Sequence, residues 1–233
     1  KNTIALSTER FISLRLGKIG QELSATEGKL QNYKQQNGVV EHQVNAASSF
    51  SNQTASEQKL TEMETQIQLF NSIASEVKNS SRDFSQVIPS DVGLSDATAS
   101  SLINKYNELV LERNRLLRSA SANSPVVEPL TDQIRTLNKN IRRAIETARN
   151  NLEIQRDAVV DQFKKYNTEV AEAPVQERMI QSIDREHGVM SSLYSMLLQK
   201  REENSMSLAA TVDKGKLIDD PQFAGIVSPN TEM

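Results

Sequence analysis

The feature that most constrains this chain is the stretch from Val126 to Glu172, which contains no glycine and no proline after Pro129. Its apolar residues recur mostly at alternating steps of four and three, which places them on one face of an α-helix. They are Leu130, Ile134, Leu137, Ile141, Ala144, Ala148 and Leu152, followed by Val159, Phe163, Tyr166 and Val170. A helix of roughly 45 residues reaches about 65 Å, well beyond ordinary domain helices. Such a helix needs partners along its length, so the pattern predicts a bundle.

Four other segments show helical periodicity, and the breaks between them set the predicted boundaries. With the long helix, the predicted helices cover about residues 3–36, 54–84, 95–119, 126–172 and 174–205. Thr54 and Glu57 match a capping box, in which the two residues satisfy each other's free backbone donors. The weakly patterned stretch 39–52 is therefore predicted to be a loop, and 119–129 is predicted to be a hairpin turn.

The first predicted helix contains three glycines, Gly17, Gly20 and Gly28. Each costs about 1 kcal/mol relative to alanine inside a helix, because glycine loses more backbone freedom on folding. We therefore expect packing to offset this cost.

The composition favours thin helical layers over a thick globular core. Aromatic residues make up 4% of the chain, tryptophan is absent, and hydrophobic residues make up 37%. These values suit helices that each bury one narrow stripe. The predicted fold class is mainly all-α: an elongated antiparallel helical bundle of coiled-coil hairpins with one very long helix, about 126–172. Residues 1–214 form the predicted helical domain, and 215–233 form an extended, proline-containing segment.

No constellation of residues in the sequence predicts an active site. The absence of cysteine excludes disulfides, thiolate catalysis and cysteine-based metal sites. The two histidines, His42 and His187, lack a metal-ligand spacing, and we interpret both as ordinary solvated or packed side chains. Gly215-Lys216 lacks the upstream glycine of a phosphate-binding loop. We therefore predict no catalytic residue, no cofactor and no metal, and no apolar run is long enough to predict a membrane span.

Positive charge is concentrated in the middle of the chain. Residues 102–156 contain ten basic and six acidic residues, so this section carries +4 although the whole chain carries −3. This imbalance is too mild to indicate nucleic-acid binding. Within the section, arginine recurs every seven residues, at Arg135, Arg142, Arg149 and Arg156, on the predicted outer face of the long helix. One interpretation is a solvated or salt-bridged face. The other is a stripe that contacts acidic residues of a neighbouring subunit or an anionic polymer.

Two stretches of the chain resemble a known family. The first is Ser192–Glu203, with Pro174–Met179 before it and Leu217–Pro221 and Val227–Pro229 after it. Its most specific residues are Leu193, Tyr194, Leu197, Leu198, Gln199, Lys200, Arg201 and Glu202. The second is Gly93–Asp96 together with Tyr106–Leu117. These stretches resemble the periplasmic loop of polysaccharide co-polymerases of the Wzz/Wzc type, particularly the exopolysaccharide tyrosine autokinases of Bacteroidetes.

The resemblance implies a non-catalytic extracytoplasmic scaffold that forms a homo-oligomer. Its partners would be the polysaccharide polymerase, the export machinery and the capsular or exopolysaccharide whose chain length or export it regulates. It implies the periplasmic portion of a bacterial inner-membrane protein, with membrane helices before Lys1 and after Met233. It also implies a cytoplasmic tyrosine kinase domain beyond the second membrane helix, outside this chain, and a return strand near 216–219 from a membrane-proximal α/β base.

The alternative is a coiled-coil periplasmic adaptor of a secretion or efflux system, since such proteins also extend a long helical hairpin. Adaptors normally bracket that hairpin with β-rich, lipoyl-like halves, and this sequence has no such halves. An enzyme fragment is a third interpretation, against which the missing catalytic constellation argues.

Overall fold

The computed structural model describes residues 2–37, 47–169 and 175–216. These residues form five α-helices and contain no β-strand, which confirms the prediction of a mainly helical protein. The helices are α1 (Asn2–Asn37), α2 (Ala47–Ser80), α3 (Ala97–Leu116), α4 (Glu128–Glu169) and α5 (Val175–Lys216). Helices α4 and α5 each contain 42 residues.

The start of α2 corrects one prediction. The helix begins at Ala47, so Thr54 and Glu57 lie inside it and do not form an N-terminal capping box. Residues 47–52 belong to this helix and not to the predicted loop, whose earlier part, 39–46, lies outside the described residues. The physical reason is that 47–53 contains no glycine or proline, and extending an existing helix is far easier than starting one.

The end of α5 also differs from its predicted position near residue 205. The apolar pattern fades there, yet the helix continues to Lys216 because good helix formers such as Leu208, Ala209 and Ala210 follow. Lys216, predicted to begin a strand, is the last residue of this helix. The remainder of that predicted strand, 217–219, and the rest of the extended segment lie outside the described residues.

Contacts between side chains give the directions of the neighbouring helices. Helix α5 packs against α1 and α2, and α4 packs against α2 and α3. Asn204 near the end of α5 donates to the carbonyl of Ala5 near the start of α1, at 2.9 Å. At the far end of α1, Glu27 lies 3.3 Å from His187 of α5, so these two helices are antiparallel. The hydrogen bond from Arg113 to Thr131 likewise places the end of α3 beside the start of α4.

The helical repeat predicts buried stripes on α1, α2 and α4, and their central parts are confirmed. On α1 and α2 the residues are Ile12, Leu16 and Ile19, and Leu60, Met63, Ile67, Phe70 and Val77. Their central apolar residues are fully or almost fully enclosed in one core, among them Ile12, Ile19, Phe70, Val77, Ile134 and Ile141. On α5 the helical repeat predicts a buried stripe of Met179, Ile183, Met190, Tyr194 and Leu197. This prediction is partly wrong, since Met179 is 48% exposed and the buried hydrophobic residues of the described part are Val189, Leu193 and Leu197. The pairing of His187 with Glu27 places Met179 opposite the last residues of α1, where that helix offers little cover.

The segment between α2 and α3 is fixed by buried polar groups. Asn107 is fully enclosed, and its side-chain amide exchanges hydrogen bonds of 2.8 and 2.7 Å with the backbone N–H and carbonyl of Ile88. The hydroxyl of Tyr106 lies 3.4 Å from the carbonyl of Ser80, and Asn138 of α4 donates to the carbonyl of Val77 at 3.1 Å. The Asn107 bonds satisfy the buried backbone groups of Ile88, and the bonds of Tyr106 and Asn138 join the middle of α3 and the first third of α4 to the end of α2.

Candidate contact surface on the long helix

The four arginines of the predicted stripe all lie on α4, but they do not share one outward face. The exposed fraction of the side chain is 52% for Arg135, 36% for Arg149 and 31% for Arg156, while Arg142 is also exposed. A straight α-helix drifts by about 20° for every seven residues, so a seven-residue repeat rotates slowly around it. The stripe therefore turns from solvent at Arg135 toward a neighbouring helix at Arg156, which corrects the prediction of a single outer face.

Three of these arginines have ion pairs along their own helix. Arg135 lies 2.5 Å from Asp132, Arg149 lies 3.5 Å from Glu153, and Arg156 lies 2.8 Å from Asp157. Exposed pairs of this kind contribute at most about 1 kcal/mol, because water and salt screen them. Among the described residues, Arg142 has no ion pair.

Arg135 also contacts the segment that follows α2. Its guanidinium lies 5.9 Å from the centre of the Phe84 ring, a distance at which the ring attracts a cation. Phe84 itself has a φ of 55°, in the left-handed region that bulky residues rarely adopt. The end of the stripe that carries Arg135 is thus held against the folded core.

The inward end of the stripe meets a carboxylate of α2. Burial raises the pKa of Glu64, and the positive charges of Arg185 on α5 and Arg156 on α4 act in the opposite direction with a smaller effect. The raised pKa means that removal from water outweighs the attraction of the two arginines. Arg156 of α4 and Arg185 of α5 therefore both act electrostatically on the Glu64 carboxyl of α2.

The outer surface of α4 also carries an unpaired apolar side chain. Ile154 is 68% exposed, and Arg142 and Arg143 are exposed on the same helix. We name Arg142, Arg143 and Ile154 the α4 surface. Arg143 and Ile154 are eleven residues apart, about three turns, and therefore share a face of α4, and arginine is enriched at protein interfaces, which makes this surface a candidate contact site.

The residues that carry the family resemblance divide by role along α5. Leu193 and Leu197 are fully enclosed in the core, and Tyr194 and Leu198 are partly buried against it. The polar residues form contacts along their own helix: Gln199 and Lys200 with Glu203, at 2.9 and 2.7 Å, and Arg201 with Glu202 at 3.2 Å. In this structure the motif packs α5 into the bundle.

The histidines and acidic residues do not assemble a metal centre in the described part of the chain. His187 lies beside Glu27 at the surface, where it can bridge α5 and α1. His42 lies outside the described residues.

Two features that depend on several helices at once were not predicted from the sequence. Asn138 is 3% exposed, and only its position between Ile134 and Ile141 in the helical repeat could have indicated burial. A groove of about 520 Å³ between α1 and α2 also went unpredicted, since its residues come from three separate helices.

None of the described helices combines the length and the apolar character that spanning a membrane requires. Comparisons with family models, with curated proteins and with solved structures found no match to this chain.

Proposed function

We propose that this chain is the non-catalytic extracytoplasmic scaffold domain of a polysaccharide co-polymerase. Its subunits assemble side by side and regulate the chain length or export of a capsular or exopolysaccharide. The α4 surface carries the structural argument, because the fold exposes Ile154 and leaves Arg142 without an ion pair among the described residues. The resemblance of Ser192–Glu203 and Tyr106–Leu117 to the co-polymerases supports the biological assignment.

The geometry of the bundle supports a mechanical role. Helices of 42 residues extend about 63 Å, at 1.5 Å per residue. We infer an elongated antiparallel bundle, with the turn between α3 and α4 farthest from the membrane that anchors the full-length protein. Neighbouring bundles then contact one another along their sides, and the assembly acts on the growing polymer by its dimensions.

The first test measures the shape and mass of this 233-residue chain. Small-angle X-ray scattering should give a longest dimension of about 65 Å or more. A compact sphere would contradict the elongated bundle. Light scattering of the full-length protein in membrane nanodiscs should then give a defined homo-oligomer, since anchoring raises the effective concentration of subunits.

The functional test is the polymer itself. Deleting the sequence for this domain from the chromosomal gene should broaden or shift the length distribution of the exported polysaccharide on a gel. An unchanged distribution, combined with loss of secretion of a protein or small-molecule substrate, would favour the periplasmic adaptor instead.

A further inference from the structure

The groove between α1 and α2 is distinct from the α4 surface. Most of its lining residues come from α1 and α2, and Glu186 and Met190 of α5 complete the lining. Its volume of about 520 Å³ is in the range of pockets that hold small ligands. Such pockets are usually apolar, whereas this groove is lined mainly by polar and charged side chains, so its ligand must be polar as well.

The α1 side of the groove carries more positive than negative charge. Arg15, Lys18 and Lys29 line it together with Glu22, and Glu186 of α5 adds a second carboxylate, which leaves a net charge of +1. Lys18 lies 3.9 Å from Glu22, so these two charges offset each other. No described residue forms an ion pair with Arg15 or Lys29.

Among the residues that line the groove, Arg15 gives the clearest indication of a ligand. Its side chain is half-buried at the groove, and its Nε atom is enclosed without a hydrogen-bond partner among the described residues. Folding has already removed part of the water from this guanidinium, because one of its N–H groups is enclosed. A hydrogen-bond acceptor that binds the guanidinium therefore displaces less water than it would at an exposed arginine. A carboxylate or phosphate matches the planar donors of arginine.

The α2 side of the groove carries neutral hydrogen-bonding groups. Gln68, Asn71, Ser72 and Ser75 line it with amides and hydroxyls. The Ser72 hydroxyl donates to the carbonyl of Gln68 at 2.8 Å and the Ser75 hydroxyl to that of Asn71 at 3.2 Å, and each oxygen can still accept. A ligand that spans the groove therefore needs an anion toward α1 and hydroxyl groups toward α2.

We propose that the groove binds a hydroxyl-bearing anion of the sugar-acid class, with its acidic group at Arg15 and Lys29 and its hydroxyls at Asn71 and Ser72. The choice of a sugar acid among hydroxylated anions rests on the proposed function. The presence of the groove and its net positive charge do not depend on the proposed function.

The test is isothermal titration calorimetry of the 233-residue chain with tetragalacturonic acid, with neutral maltotetraose as the matched oligosaccharide. The acidic tetramer should bind at least tenfold more tightly than the neutral one. Arg15→Gln and Lys29→Gln should each weaken binding about tenfold, as expected for the loss of a charged hydrogen bond. Arg118→Gln, an exposed cation in the turn between α3 and α4, should bind like the wild type.

Equal binding of both tetramers, no binding of either, or binding that survives both groove substitutions would overturn the proposal. Binding lost in Arg142→Gln but retained in the groove variants would assign the anion site to the α4 surface instead. Inorganic phosphate with the affinity of the acidic tetramer would show an anion site without sugar recognition, which also contradicts the proposal. Because Arg15 packs at the edge of the core, circular dichroism must show a folded variant, and the exposed Lys29 provides the test if it does not.

The experiments distinguish a failure of the groove proposal from a failure of the proposed scaffold function. If the acidic tetramer does not bind while the full-length protein still assembles and sets polymer length, only the groove assignment fails. If it binds while the full-length protein remains a monomer without effect on the polymer, the groove stands and the scaffold proposal fails.

Discussion

At the scale of single residues, the structure shows that the glycines of α1 are not needed for close packing. The cost of Gly17, Gly20 and Gly28 in a helix suggested that packing would offset it. A Cβ added at any of these glycines meets no atom within 4 Å among the described residues. Packing of this chain against itself therefore does not require glycine at these positions, and the packing that offsets their cost comes from the buried stripe of α1, with Ile12, Leu16 and Ile19.

The first prediction follows from that open space. Gly17→Ala, Gly20→Ala and Gly28→Ala should each raise the free energy of unfolding by about 0.5–1 kcal/mol, because alanine loses less backbone freedom than glycine. Urea denaturation measures the change. Gly93→Ala is the matched control and should lower stability, since Gly93 has a φ of +92° and its added Cβ would lie 3.3 Å from the Met196 sulfur.

A second prediction concerns Asn107. Replacing it with leucine should lower the free energy of unfolding by about 2–3 kcal/mol, because the N–H and carbonyl of Ile88 would lose their buried partners. Asn114→Leu is the control, since Asn114 is bonded to the carbonyl of Ser85 at a more exposed position and should lose about 1 kcal/mol or less. Equal losses in the two variants would show that burial is not the cause.

At the scale of helices, the sequence predicted the existence and the buried face of each element better than its ends. Ile134 and Ile141 were predicted to face the core because the helical repeat is a local property of the chain. The start of α2 was missed because a capping box can occur by chance inside a helix, as at Thr54 and Glu57. The arginines were predicted to share one face because a seven-residue repeat was assumed to run parallel to the helix axis, whereas it turns slowly around a straight helix.

The junction of α2, α4 and α5 gives a prediction about pH. The raised pKa of Glu64 means that the folded chain holds its proton more tightly than the unfolded chain, whose carboxyl titrates near 4.5. The contribution of this group to stability is therefore highest below pH 4.5 and falls as the pH rises through the folded-state pKa. Glu64→Gln should consequently stabilise the protein at pH 7 and lose this advantage at pH 4.

Urea midpoints of wild type and variant at the two pH values measure that difference. Glu57→Gln, an exposed change on the same helix, is the control. If Glu64→Gln destabilised the protein at pH 7, the attraction of Arg185 and Arg156 would outweigh burial, contrary to our interpretation.

At the scale of the whole molecule, some of the arginines of α4 have contacts within the subunit and others do not. The arginines at the two ends of the stripe have roles within the subunit, with Arg135 held at Phe84 and Arg156 near Glu64. The α4 surface has no such role in the described part of the chain. If bundles assemble side by side, this surface offers exposed groups that have no such role within the subunit, and a change there should affect assembly without affecting folding.

The last prediction tests that separation. Arg142→Glu combined with Arg143→Glu should change the free energy of unfolding of the subunit by no more than about 0.5 kcal/mol, because both side chains are exposed. In the full-length protein in nanodiscs, the same change should weaken assembly at least tenfold, since it reverses the charge that meets the neighbouring subunit. Raised salt should weaken the wild-type assembly in the same direction. Lys59→Glu, an exposed reversal on α2, should leave assembly intact. Wild-type assembly of the double variant would place the subunit contact elsewhere and remove the structural argument for the scaffold.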